Sequence, residues 1–197
     1  MVGAVLIVLS APTIVVLGAS FTSGSIIAFP PDGFSLQWYA KIAMAADLRN
    51  AFMRSLAVAT ICTLIAIPIG TLAGIALSKY AIRFEKTFQI YLLLPFTIPL
   101  IGSGIGLMLL FGQMGVLGQI WPVGVACCVI NLPFMIWAVT ASAGSLDPDL
   151  ELAAANCGAP PISTFLHVTL PAVMPGVISG SLLMFILALN EFLVSLL

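Results

Sequence analysis

The sequence predicts an all-α fold, a polytopic bundle of membrane-spanning helices in which five spans can be counted. Three observations lead there. Of 197 residues, 61% are hydrophobic and only 7% charged, with a mean hydropathy of +1.23. A soluble domain carries roughly 25% charged residues and could not present this composition to water. The thirteen charged residues are confined to a few short stretches. The runs between them are long enough to cross a ~30 Å hydrocarbon core, which takes about 20 apolar residues in a helix whose backbone groups pair internally.

Taken in order, Val2 to Phe21 supplies the first span. It does not read as a cleaved signal peptide, because no basic residue precedes it and further long apolar runs follow. The next segment holds Asp32, Lys41, Asp47, Arg49 and Arg54. In it Pro31-Asp32-Gly33 marks a turn, Trp38 and Tyr39 suit a membrane interface, and the residues after Ser35 suit a short interfacial helix. Ser55 to Leu77 is the second span. Lys79, Arg83, Glu85 and Lys86 then crowd into the ten residues Ser78 to Thr87. Residues 22–54 carry as many basic groups, but the density of the shorter loop favours it as cytoplasmic.

The charge-free stretch from Thr87 to Leu146 is 60 residues long, enough for two spans. Gly112, Gly115, Gly118 and Pro122 indicate its turn, which puts the spans near 88–111 and 120–141. The fifth runs near 172–191. Pro12, Pro68, Pro95, Pro99, Pro133 and Pro175 fall inside these runs, where neighbouring helices or water can re-satisfy the freed carbonyls. Gly70/Gly74, Gly102/Gly106 and Gly176/Gly180 have the four-residue spacing that lets helices approach closely in lipid.

A net charge of −1 gives no sign of a nucleic-acid partner. The four cysteines, Cys62, Cys127, Cys128 and Cys157, show no metal-ligand spacing, so neither a metal nor a cofactor is expected. Ionisable acids and bases are missing from the middle of the apolar runs, where a secondary transporter or channel would place them. No convergent acid, base and nucleophile set points to a catalytic centre, and the lone His167 fits a polar loop.

Residues 147–171 are the segment whose chemistry departs from membrane packing. Asp147 can cap a helix with Pro148 at its first position, and Asp149 and Glu151 then lie in the first turn, where the helix dipole favours negative charge. Ala153-Ala154-Ala155 continues it, Gly158 can end it in the left-handed conformation, and Pro160-Pro161 prevents its resumption. The product is a helix of about ten residues, near 15 Å, too short to span. Leu150, Ala153, Ala154 and Cys157 share one of its faces. Such a helix suits either a groove in another protein or the membrane surface. A second short helical segment is expected from Ser163 toward Leu170, before Pro171 leads into the fifth span.

The string Glu151-Leu152-Ala153-Ala154-Ala155-Asn156-Cys157-Gly158-Ala159, followed by Phe165 and Val168-Thr169-Leu170-Pro171, resembles the EAA loop of ABC importer permeases. Ala153-Ala154, Gly158 and Leu170-Pro171 have the spacing of that pattern, and the loop stands before the fifth span, as in the family. Counting back from Gly158, the family's glutamate falls at Leu152, with Glu151 one residue earlier, about 100° round the helix. Phe29 to Tyr39 is similar to the first external loop of spermidine/putrescine-type permeases, and Asn190-Glu191-Phe192 resembles their Asp-Glu-Phe sequence.

This resemblance implies one permease domain over 1–197, with five spans where the family usually has six, so that the chain reads as C-terminally truncated or a fragment. It implies a multi-pass protein of a bacterial-type inner membrane that forms a substrate pathway and hydrolyses no ATP itself. The implied partners are an ATP-binding subunit, a second permease subunit (homo- or heterodimeric), an extracytoplasmic solute-binding protein, a small-molecule substrate and the lipid bilayer. Leu150, Glu151, Ala153, Ala154, Gly158, Ala159, Leu170 and Pro171 become the candidate contact to the ATP-binding subunit. Asn190 and Glu191 become candidates for the pathway, with an interfacial carboxylate as the alternative for Glu191. A polyamine is the implied substrate; iron, thiamine, a phosphonate or an opine are the alternatives.

Overall fold

Apolar runs bounded by charge become helices throughout the described part of the chain. The computed structural model describes residues 2–24, 33–80, 87, 90–92, 94 and 100–191. The expectations at Pro31-Asp32, Arg83, Glu85, Lys86, Pro95, Pro99 and Phe192 lie outside these residues. Helices run over Val2–Ser20 (α1), Gln37–Met44 (α2), Ala46–Lys79 (α3), Leu100–Met114 (α4), Ile120–Gly144 (α5), Pro148–Asn156 (α6) and Pro161–Leu189 (α7). An isolated antiparallel bridge joins Thr22 to Phe34. Among the described residues, α3, α5 and α7 are long and apolar enough to cross a membrane, and Val8–Ser20 and Gly102–Met114 are shorter apolar helices.

Two helices depart from the sequence expectation for physical reasons. Helix α3 starts at Ala46, nine residues before the span expected from Ser55, with Asp47 in its first turn. Charge ends an apolar run but does not end a helix, and an acid near the N-terminus favours one. Helix α7 absorbs the short segment expected after Ser163 and passes Pro171 without a break. A π-helical turn at Phe165–Thr169 ends two residues before this proline, and the Leu170 N–H reaches back to the Phe165 carbonyl. Widening the ladder there gives room to a residue that cannot donate to it.

The chain divides into two compact units, Met1–Met53 and Arg54–Leu197. In the first, α1 exposes Leu6, Val8, Leu9, Val16 and Leu17, a surface that needs lipid as its solvent. Helix α2 is pinned by Trp38 Nε1, which donates to the Thr22 carbonyl at 3.0 Å, and by Gln37 Nε2, which donates to the Ser23 carbonyl at 2.7 Å. The Lys41 ammonium lies 4.2 Å from the Trp38 ring centroid, a cation–π contact.

In the second unit, small residues set the approach of α3, α5 and α7. A Cβ added to Gly74 would meet the Ile136 carbonyl oxygen at 2.9 Å, and one added to Gly176 would meet that of Ala138 at 2.7 Å. Met135, Ile136, Val139, Val173 and Met184 fill the space between, with Cys62 and Cys127 fully buried beside them. Thr140 Oγ1 donates within α5 to the Ile136 carbonyl at 2.8 Å and lies 3.2 Å from the Gly74 carbonyl of α3. The third glycine pair behaves differently: among the described residues, nothing lies within 4 Å of a Cβ added at Gly102 or Gly106. Gly115 and Gly118, at φ 69° and 79°, make the turn from α4 to α5.

Candidate functional site

The 147–171 segment builds its helix as capping chemistry requires. Asp147 is extended, at φ −68° and ψ 119°, and its carboxylate accepts from the Asp149 N–H at 3.0 Å. Pro148 occupies the first helical position. At the other end, the Gly158 N–H donates to the Ala155 carbonyl at 2.9 Å and the Ala159 N–H to the Ala154 carbonyl at 3.1 Å. With Gly158 at φ 82°, this is a Schellman termination, which a residue with a side chain would strain.

Helix α6 has no buried residue. Leu150, Leu152, Ala153 and Cys157 are exposed, while Glu151, Ala154 and Ala159 are half-buried on the inner side. Of the face Leu150-Ala153-Ala154-Cys157, three members therefore look outward. Leu150 is 51% and Leu152 60% exposed, and Ile162 at the start of α7 is 76% exposed, so the loop carries a small apolar surface. Leu170 is half-buried and Pro171 exposed, where the π-helical turn hands over to the span.

Glu151 points inward and meets two donors. Lys79 Nζ, at the end of α3, forms an ion pair with its carboxylate, and the Thr169 hydroxyl donates to the same oxygen. Lys79 Nζ is also 3.4 Å from Thr169 Oγ1. The Lys79 hydrogen bond, then that of Thr169, holds the Glu151 carboxyl below its usual range, against a small opposing effect of burial. Lys79 is legible in the sequence as a loop charge but not as a partner of Glu151, and Thr169 reads only as part of the Val168-Thr169-Leu170-Pro171 string. A threonine inside an otherwise apolar run gives no signal of its own; the π-helical turn is what aims it. His167 is exposed, and its Nδ1–H donates to the Ser163 carbonyl at 3.0 Å, one more bond inside the loop.

At the opposite end of α7, the Asn190 amide donates to the Ile186 carbonyl at 3.0 Å and closes the helix. Glu191 follows, half-buried. The two are therefore some 30 Å from Leu170 and form no common site with the loop. Among the described residues no cluster of three potential metal ligands occurs.

Residues 66–197 match the family of binding-protein-dependent transport system inner membrane components. The chain belongs to that family. It is a multi-pass inner-membrane protein, and its helical bundle is of the permease type. The molybdenum transport system permease protein ModB of Mycobacterium tuberculosis is 29% identical over 156 residues, 73% of this chain and 59% of its own length. The putrescine transport system permease protein PotI of Escherichia coli K12 is 29% identical over 198 residues, 95% of this chain and 69% of its own. A putative 2-aminoethylphosphonate transport system permease protein, PhnV of Salmonella typhimurium, is 29% identical over 163 residues, 82% and 61% respectively. The permease thus spans less than two thirds of the length of the molybdenum and phosphonate relatives.

Proposed function

We propose that the chain is the membrane-spanning subunit of an ATP-driven importer, and that its 147–171 loop docks on a separate ATP-binding subunit that hydrolyses the nucleotide. The observation that carries this reading is the loop itself: a capped nine-residue helix whose exposed Leu150, Leu152 and Ala153 lack a partner within the described residues. Leu150, Ala153, Ala154, Gly158 and Ala159 make the contact, and Leu170-Pro171 carries it into α7. A second permease subunit completes the pathway, and an extracytoplasmic binding protein delivers the solute. All of 1–197 serves as one permease domain.

The substrate is a polyamine of the putrescine or spermidine kind. Support comes from the alignment to the putrescine permease, which covers 95% of the chain, against 82% and 73% for the phosphonate and molybdenum relatives. A phosphonate is the second reading, favoured by the similarity to PhnV. Asn190 and Glu191 lie on the pathway, where a carboxylate suits a polycation.

Two experiments test this. Affinity purification of the permease from its native membrane brings down an ATP-binding subunit if the docking reading holds, and none if it fails. Vesicles containing the assembled transporter and its binding protein take up labelled putrescine or spermidine. Uptake of 2-aminoethylphosphonate or molybdate instead, with no polyamine transport, overturns the polyamine assignment.

A further inference from the structure

Packing does little to orient helix α6. None of its nine residues is buried, and its inner side borders a cavity of 480 Å³ lined in part by Lys79, Tyr80, Glu151, Ala155, Phe165 and Thr169. A short helix beside open space has few apolar contacts to resist reorientation. Among the described residues, the side-chain hydrogen bonds that leave α6 for other elements both end on Glu151: one from Lys79, the last residue of α3, and one from Thr169, the last of the π-helical turn. Leu152, the next residue along, is exposed and offers no polar group. Of the two acids inside α6, Glu151 is turned inward, while Asp149 is exposed.

We infer that Glu151 is a positioning residue that ties α6 to the ends of α3 and α7 through Lys79 and Thr169, so that movement of the docked loop reaches two spans together. This rests on the docking reading proposed above, but the tie itself is a property of the chain alone. Charge-assisted hydrogen bonds on one carboxylate are stronger than neutral ones, and side chains only 27% and 29% exposed are less screened than a free surface pair. The competing possibility is an ion pair of no consequence, as many partly exposed pairs are.

Cys157 gives a direct readout, because it is exposed while Cys62, Cys127 and Cys128 are buried. A spin label on Cys157 of the full chain in proteoliposomes should show one slow component. Glu151→Gln and Lys79→Met should each add a fast component, Lys79→Arg should not, and the exchanged pair Glu151→Lys with Lys79→Glu should restore the slow spectrum. Spectra unchanged in both single variants, or no recovery in the exchanged pair, would overturn the tie. In the assembled transporter the single variants should still co-purify the ATP-binding subunit and hydrolyse ATP. Their uptake per ATP should fall roughly tenfold, within the usual range of coupling between sites, and recover in the exchanged pair. Loss of co-purification with an unchanged label spectrum would instead place Glu151 on the partner and overturn the inference. A wild-type permease that binds no ATP-binding subunit would sink the docking reading while leaving the label result intact.

Discussion

Single residues make the sharpest tests of this permease. Gly176 and Gly102 look alike in the sequence, each opening a pair of glycines four apart, yet among the described residues only Gly176 faces a backbone carbonyl at contact distance. Gly176→Ala should therefore cost about 1–3 kcal/mol through overpacking, and Gly102→Ala almost nothing, measured as thermal stability in detergent. Gly158 has open space but a left-handed backbone. Gly158→Asn should leave the loop's geometry intact, because asparagine tolerates that conformation. Gly158→Trp should abolish uptake coupled to ATP hydrolysis while insertion persists; undiminished uptake would count against the docking surface. Glu191→Gln should raise the KM for a polyamine if this carboxylate lines the pathway, and leave transport unaltered if it only marks the helix end. The pH dependence of the Glu151 tie also has a definite sign. Its carboxyl titrates lower folded than unfolded, so the tie contributes fully above the ordinary value of 4.5 and is lost as pH falls through the depressed folded value. The label on Cys157 should accordingly loosen only in acid, and in Glu151→Gln it should be loose at every pH.

Among elements, the short helices are governed by their ends and the long ones by their packing. Asp147→Ala removes the cap on α6 and should cost about 1 kcal/mol of helix stability, seen as faster exchange of the Asp149 and Leu150 amides. Deleting His167, an exposed residue of the π-helical turn, should return that turn to α-helical register and rotate Thr169 away from Glu151. Uptake should be lost with the span still inserted. Much of α6 was legible beforehand, since caps and terminators act within a few residues of where they are written: Asp147, Pro148 and Gly158 each do in the structure what their chemistry requires. The start of α3 and the continuity of α7 were not legible, because charge and proline are read as boundaries while packing and a widened turn can override both. The Lys79–Glu151 pair is separated by 72 residues and has no local signature.

For the whole molecule, the membrane class follows from composition alone, and the outward aliphatic side chains of α3, α5 and α7 agree with it. Leu64, Leu72, Val129, Leu182 and Ile186 are all more than half exposed, which only lipid or another protein accommodates. A membrane-impermeant maleimide should modify Cys157 alone among the four cysteines, and from the cytoplasmic side of inside-out vesicles. Labelling from the outside would reverse the orientation inferred from loop charge. Which solute is carried was never legible to the same degree, since relatives at equal identity bear the names of molybdenum, putrescine and phosphonate systems.

The length of α7 has a consequence for height above the bilayer. Twenty-nine residues amount to about 44 Å of helix, and submerging all of it in a ~30 Å hydrocarbon core would take a tilt near 47°, beyond the usual range. The twenty residues Leu170–Leu189 alone account for ~30 Å. Pro161–Thr169 then stands clear as a stalk of about 13 Å, as deep as the headgroup layer or deeper. On that geometry Thr169, and with it the carboxylate of Glu151, sits at the plane where hydrocarbon gives way to headgroups, while Leu150 and Leu152 are lifted toward water and away from the lipid that would otherwise cover them.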